Sequence, residues 1–345
     1  MTAQRDYEIF EAGDVSLQSG AVFPAMKLAY KTYGSLNAAK DNVILYPTSF
    51  SAQHLDTEWL IGPDGVLDPL SYFIIIPNLF GNGLSSSPSN FGGAPFPELT
   101  YHDAIAVQHR LLTERFGITE LALVYGWSMG GMQAYHWAAL HPEMVARAAV
   151  VCGSARCAPY NHVFLEGVKA ALTGDPAFRD GRFVEKPVAG YRAMGRVYAG
   201  WAMSHGFYRD ELWRETGFTS LEDYLVRNWD TTFARRDAND LLAQAGIWQR
   251  GDISRCTAFG GDLDRALGAI KAHMLLMPGA TDRYFDARDN EDELARLVNA
   301  KSAVLHPIPS PHGHRAGNPI NNPRDKAFLK AEVAALLDKQ DRSRP

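Results

Sequence analysis

Runs of apolar residues of strand length recur along this chain at residues 42–48, 72–77, 120–125, 145–151, 273–280 and 302–308. Several are apolar throughout rather than alternating, as in parallel strands covered on both faces. Between them lie stretches with helical spacing. One starts at Thr100, where Thr100 and Asp103 form a capping-box pattern, and runs to about Phe116. Another spans residues 129–140 and stops at His141-Pro142, and a closing amphipathic helix over 323–339 has Pro323 in its first turn. Residues 7–34 read as short strands, the last ending in a turn at Gly34. Strands that alternate with helices predict an α/β fold with a largely parallel sheet.

Between about residues 154 and 268 this alternation stops. The segment holds Trp201, Trp213, Trp229 and Trp248, and helix-like runs over 188–203 and 220–227 broken by Gly174-Asp175-Pro176 and Gly217. It is read as a helical insertion, a lid over the site, with its aromatics mostly packing that lid. The expected organisation is therefore a core of residues 1–153 and 269–345 with a lid of 154–268.

The chemistry centres on Gly126-Trp127-Ser128-Met129-Gly130, a G-x-S-x-G pattern set between the run 120–125 and the helix 129–140. A nucleophile elbow needs this strand–turn–helix setting: the serine is lifted on a strained turn, and the helix N-terminus behind it favours developing negative charge. A serine hydroxyl still needs a base to take its proton and an acid to orient that base. In the α/β-hydrolase arrangement they follow in the order serine, acid, histidine, each just past a strand. Asp282 follows the run ending at Ala280 and is preferred over Asp286 and Asp289; the base lies in His312-Gly313-His314, past the run ending near Ile308. The oxyanion hole is assigned to the amides of Met129 and Phe50, the latter in the loop after the first buried run. Trp127 and Trp59 are candidates for the substrate pocket. The His312/His314 pair also admits a metal-clamp reading, but no further ligand at the right spacing supports it, so no metal and no cofactor are expected.

A net charge of -5 with no basic stripe excludes an electrostatic case for nucleic acid. No run reaches membrane-spanning length, and no leader is readable at Met1-Thr2-Ala3-Gln4. The three cysteines, Cys152, Cys157 and Cys256, show no metal spacing and fit reduced thiols in a cytoplasm. Gly81-Asn82-Gly83 lacks the third glycine of a dinucleotide fingerprint.

The stretch Ser128-Met129-Gly130-Gly131-Met132-Gln133-Ala134 with Trp137-Ala138 resembles the elbow of the homoserine O-acetyltransferase family. Tyr30 to Gly34, Asn42 to Leu45, Asp175-Pro176 with Gly190, and Gly313-His314 are similar to further parts of it. The resemblance implies an α/β-hydrolase fold with a helical lid, His314 rather than His312 as base, Phe50 at the oxyanion position and a homodimer through the lid. It also exposes departures. Where family members recognise homoserine with a lid arginine and tyrosine and an aspartate after the histidine, an ungapped count puts Gly195, Ala202 and Arg315. Arg192 or Arg196 could supply the arginine if the alignment slips by a turn. The chain resembles the family's esterases more than its transferases. The expected function is hydrolysis of short-chain, acetyl, small-molecule esters through an acyl-enzyme. The alternative is acyl transfer from acetyl-CoA to homoserine or another alcohol.

Overall fold

The structure, a computed structural model, describes residues 5–92 and 95–339; the stretch 1–4 read for a leader lies outside the described residues. Two antiparallel strands open the chain, β1 (Glu8–Ser16) and β2 (Val22–Tyr33). After them come β3 (Val43–Leu45), β4 (Phe73–Pro77), helix α1 (Tyr101–Arg110), β5 (Leu123–Trp127), helix α2 (Met129–Leu140) and β6 (Arg147–Val151). Helix α1 begins with the expected Thr100/Asp103 capping box and continues as a wider turn, residues Leu111–Phe116, to Gly117.

The segment after β6 carries α3 (Pro159–Thr173), β7 (Phe178–Arg179), β8 (Arg182–Phe183), α4 (Val188–Ala202), α5 (His205–Arg209), α6 (Leu221–Tyr224), α7 (Asp230–Thr232), α8 (Ala238–Gln249) and α9 (Leu263–Gly268). The β7–β8 pair, absent from the sequence reading, is a hairpin turning at Asp180-Gly181, both at positive φ. The chain then supplies β9 (His273–Met277), α10 (Ala287–Leu294), β10 (Ser302–Leu305) and α11 (Pro323–Leu337).

The eight long strands form one sheet in the order β1-β2-β4-β3-β5-β6-β9-β10. Every pairing from β4 to β10 is parallel; β1 and β2 are the antiparallel edge. All five residues of β4 and all three of β3 are buried, which explains their continuous apolar pattern. Successive side chains alternate between faces. Val43, Leu45, Ile75 and Val124 join the core beneath α1 and α2, while Ile44, Ile74, Ile76, Leu123 and Tyr125 join the core beneath α11. Each such side chain contributes roughly 1.5–3 kcal/mol on burial, so the sheet centre is the rigid base from which the site projects. Helix α11 meets its face through Leu329, Val333 and Leu336, at i, i+4 and i+7. Among the described residues no helix is long and apolar enough to cross a membrane.

Candidate active site

Three loops at the carboxyl ends of β3, β5 and β6 each contain a non-glycine residue at positive φ: Ser51 (59°), Ser128 (58°) and Cys152 (45°). Such conformations cost of order 1–3 kcal/mol each and persist where the surroundings enforce them. For Ser128 the enforcement is visible. Its N–H donates to the Val151 carbonyl at 2.8 Å, and Met132 N–H bonds back to the Ser128 carbonyl at 3.0 Å as α2 begins. The strand and helix approach so closely that a Cβ at Gly126 would lie 1.9 Å from the Gly130 carbonyl oxygen. Only glycine permits this crossing.

Asp282 stands in the loop after β9, its side chain fully buried. Its Oδ2 lies 2.6 Å from His314 Nδ1, and its Oδ1 accepts from the amides of Tyr284 (3.1 Å) and Phe285 (3.2 Å). An ionised carboxylate only accepts, so this contact holds the ring proton on Nδ1 and leaves Nε2 as the basic nitrogen. The loops carrying Asp282 and His314 are stitched together by Thr281, which donates to the Ser310 carbonyl at 2.7 Å and accepts from Gly313 N–H at 3.1 Å. Tyr284 (ring centroids 4.4 Å), Trp127 (5.0 Å) and Phe285 (5.5 Å) surround the His314 ring. Trp127 Nε1 also donates to the His314 carbonyl at 3.3 Å. The other histidine of the motif turns elsewhere: His312 contacts Ser310, Asn322 and Asp325.

Ser128 and His314 line one cavity of about 80 Å³ together with Ser49, Phe50, Trp127, Tyr198, Ala202, Trp229, Phe233 and Tyr284. Met129 opens α2, so its N–H has no intrahelical acceptor. The loop holding Phe50 is fixed from both sides. Buried Gln133 of α2 donates to the Thr48 carbonyl at 3.0 Å and accepts from Gln108 at 2.8 Å, while Gln108 accepts from Trp137 at 2.8 Å. On the far side Gln244 Oε1 accepts from Ser51 N–H at 2.8 Å, and Arg236 Nε donates to the Ser51 carbonyl at 2.8 Å. None of this second clamp was legible in the sequence; nor were Tyr198, Tyr284, Arg235 and Asn318 as lining residues.

Trp59 is a correction to the sequence reading. It sits on a short turn, Glu58–Leu60, packs against the core under α11 and carries Lys326 Nζ 5.7 Å over its ring, away from the cavity lining. Asp56 and Thr57 just before it do line the cavity, but the Trp59 indole is not among the lining residues. Cys152 lies beside Asp282 and His314, with all three ligand atoms within 4.8 Å. Burial, then the Asp282 charge, push its thiol well above the usual range, so it stays protonated and is no rival nucleophile. A second, open cavity of about 1020 Å³, between α8 and residues 95–99, is lined by neither Ser128 nor His314.

The alpha/beta hydrolase fold family model matches residues 57–313, and the chain belongs to that family. It is 39% identical to a probable esterase of Corynebacterium glutamicum over 88% of this chain and 89% of that protein. An ethyl acetate hydrolase of Pseudomonas veronii is also 39% identical, over 89% of each. A homoserine O-succinyltransferase of Methylibium petroleiphilum is 32% identical, over 93% of this chain and 92% of its own length. The solved structure of the acetyl esterase MekB superposes with a TM-score of 0.92 at 37% identity, over 96% of this chain and 97% of that one. Within a homoserine acyltransferase-like family, the chain stands closer to the esterases than to the transferases.

Proposed function

We propose that this chain hydrolyses short-chain, chiefly acetyl, carboxylic esters through an acyl-enzyme on Ser128. Ser128 Oγ attacks the ester carbonyl as His314 Nε2 takes its proton, and Asp282 holds the imidazole and balances its transient charge. The amides of Phe50 and Met129 donate hydrogen bonds to the oxyanion. His314 then passes the proton to the leaving alcohol, and water activated by the same ring releases the acid and restores Ser128.

The observation that carries this reading is the hydrogen-bonded Asp282–His314 pair at the wall of the cavity that Ser128 also lines. The size of that cavity, about 80 Å³, supports a small acyl group, because a cavity of about 150 Å³ is what benzene occupies. The similarity to an ethyl acetate hydrolase and an acetyl esterase points the same way.

Acyl transfer to homoserine is disfavoured by the lid. The position the resemblance assigns to a recognition arginine is Gly195, where a Cβ would meet the Trp229 carbonyl oxygen at 2.1 Å. The substitutes Arg192 and Arg196 are both committed to Asp230, at 3.4 and 2.7 Å. The segment 154–268 is read as a lid, and exposed Tyr160, Val163, Val184, Val188, Leu221 and Val226 on it support a homodimer through that surface. A cytoplasmic setting is retained from the three free thiols.

Ser128→Ala tests the mechanism: release of acetate from p-nitrophenyl acetate should fall to background, with the fold intact. Undiminished turnover would remove Ser128 from the reaction. Running the wild type with acetyl-CoA and homoserine alongside separates hydrolysis from transfer, and faster O-acetylhomoserine formation would reverse the assignment.

A further inference from the structure

The cavity beside Ser128 is electrically lopsided. Besides His314, its charged lining consists of Asp56, Arg235 and Arg315. Asp56 is already shared, since it pairs with Arg235 and also with Arg236 at 2.7 Å. Arg315 has no such partner. Among the described residues it makes no ion pair and no side-chain hydrogen bond; its guanidinium carbon lies 5.7 Å from the Trp229 ring centroid. Its charge and the opposing charge of Asp282, which is already bonded to His314, both bear on the phenols of Tyr198 and Tyr284 that line the same cavity. This excess of positive charge occurs in a chain of net charge -5, so it is a local feature rather than a reflection of the whole.

A half-buried guanidinium presents five donors in a planar fork and cannot give up its proton. Held over an indole and facing a small aromatic cavity, it is set to receive a planar anion with two acceptor oxygens. One unpaired cation matches one negative charge, which favours a carboxylate over a dianionic phosphate. Arg315 shares the short turn Gly313–Gly317 with His314, the residue that returns the proton to the leaving alcohol.

Building on the esterase reading above, we propose that the substrate class is the short-chain ester of a hydroxy carboxylic acid, whose free carboxylate is bound by Arg315. The bond changes are those of ester hydrolysis. The acyl carbon leaves the hydroxy-acid oxygen for Ser128 Oγ, and the serine proton reaches that oxygen through His314. Water then supplies hydroxide to the acyl carbon and a proton to Ser128. The carboxylate stays ionised throughout and takes no part in the bond changes. Arg315 is thus a specificity-determining residue rather than one of the reacting groups.

The test compares acetoxyacetate with its methyl ester, an uncharged near-isostere, in wild type, Arg315→Gln and Arg315→Lys. The readout is kcat/KM for acetate release, the acetyl ester being the bond broken, taken as the ratio of the anionic to the neutral compound. The wild-type ratio should exceed one, and Arg315→Gln should lower it about 10- to 100-fold, mainly through KM, the range expected for a charge-assisted hydrogen bond. Arg315→Lys should recover part of it, and added salt should depress the wild-type ratio. A wild-type ratio at or below one, or the same ratio in wild type and Arg315→Gln, overturns the proposal while leaving the esterase reading in place. Preference for an acetylated phosphoalcohol over acetoxyacetate overturns the choice of carboxylate. Failure to turn over any ester, p-nitrophenyl acetate included, defeats the esterase reading and this inference with it.

Discussion

Replacing Gln244 by leucine removes one half of the clamp on the Phe50–Ser51 loop while nearly keeping the side-chain shape. Gln244 is fully buried, and its two polar atoms serve Ser51 N–H at 2.8 Å and, more weakly, the Phe80 carbonyl at 3.4 Å. The variant strands the buried Ser51 amide, at a cost of about 1–3 kcal/mol, and lets a residue at φ 59° relax. Arg236 still holds the Ser51 carbonyl, so the loop should loosen rather than unfold. Losing an oxyanion donor outright costs about 10²–10³ in kcat; re-aiming the Phe50 amide should cost less, about 10- to 100-fold. Steady-state kinetics on p-nitrophenyl acetate should show this in kcat with little change in KM, alongside a melting temperature lower by a few degrees. A folded Gln244→Leu protein with wild-type kcat would refute the idea that this clamp aims the amide.

Other outcomes follow from the same geometry. Asp282→Asn keeps an acceptor for the Tyr284 and Phe285 amides but turns a donor toward His314 Nδ1, so the wrong tautomer should dominate and kcat should fall about 10⁴-fold; activity within tenfold of wild type removes Asp282 from its role. Gly126→Ala forces a methyl group against the Gly130 carbonyl and should cost about 3 kcal/mol or more, seen as a large drop in urea midpoint; a wild-type midpoint would show that the elbow yields easily. Burial raises the Glu293 carboxyl from 4.5 to about 7. The folded state therefore binds the extra proton between these values, and stability should decline as pH rises from about 4.5 to 7 and then level off. Urea titrations across that window should flatten in Glu293→Gln, and an unchanged slope would assign the pH dependence to other groups.

Much of the architecture was legible because the central strands are buried on both faces. Uninterrupted apolar runs such as Ile74-Ile75-Ile76 have few alternatives. Asp282 and His314 could be singled out because the proposed chemistry demands residues just past strand ends, and the fold brings the two into hydrogen-bond contact there. What escaped notice depends on contacts between distant parts of the chain. Gln244 reaches Ser51 across 193 residues, and no periodicity encodes that. Trp59 could not be placed from the sequence, because nothing in residue order tells which side chains of a short turn reach the cavity: Asp56 and Thr57 line it and Trp59 does not. The β7–β8 hairpin is different: Asp180-Gly181 is a strong local turn signal, and attention to the helical spacing around it concealed the pair.

The contact between Gly195 and the Trp229 carbonyl has an evolutionary consequence. Any side chain at residue 195 would have to push α4 away from the backbone at Trp229 before it could touch a ligand. A mutational path from this enzyme to an amino-acid acyltransferase therefore cannot begin with a point change at that site; it must first redraw how α4 meets the segment at Trp229, and every intermediate along that route has to survive with that packing loosened.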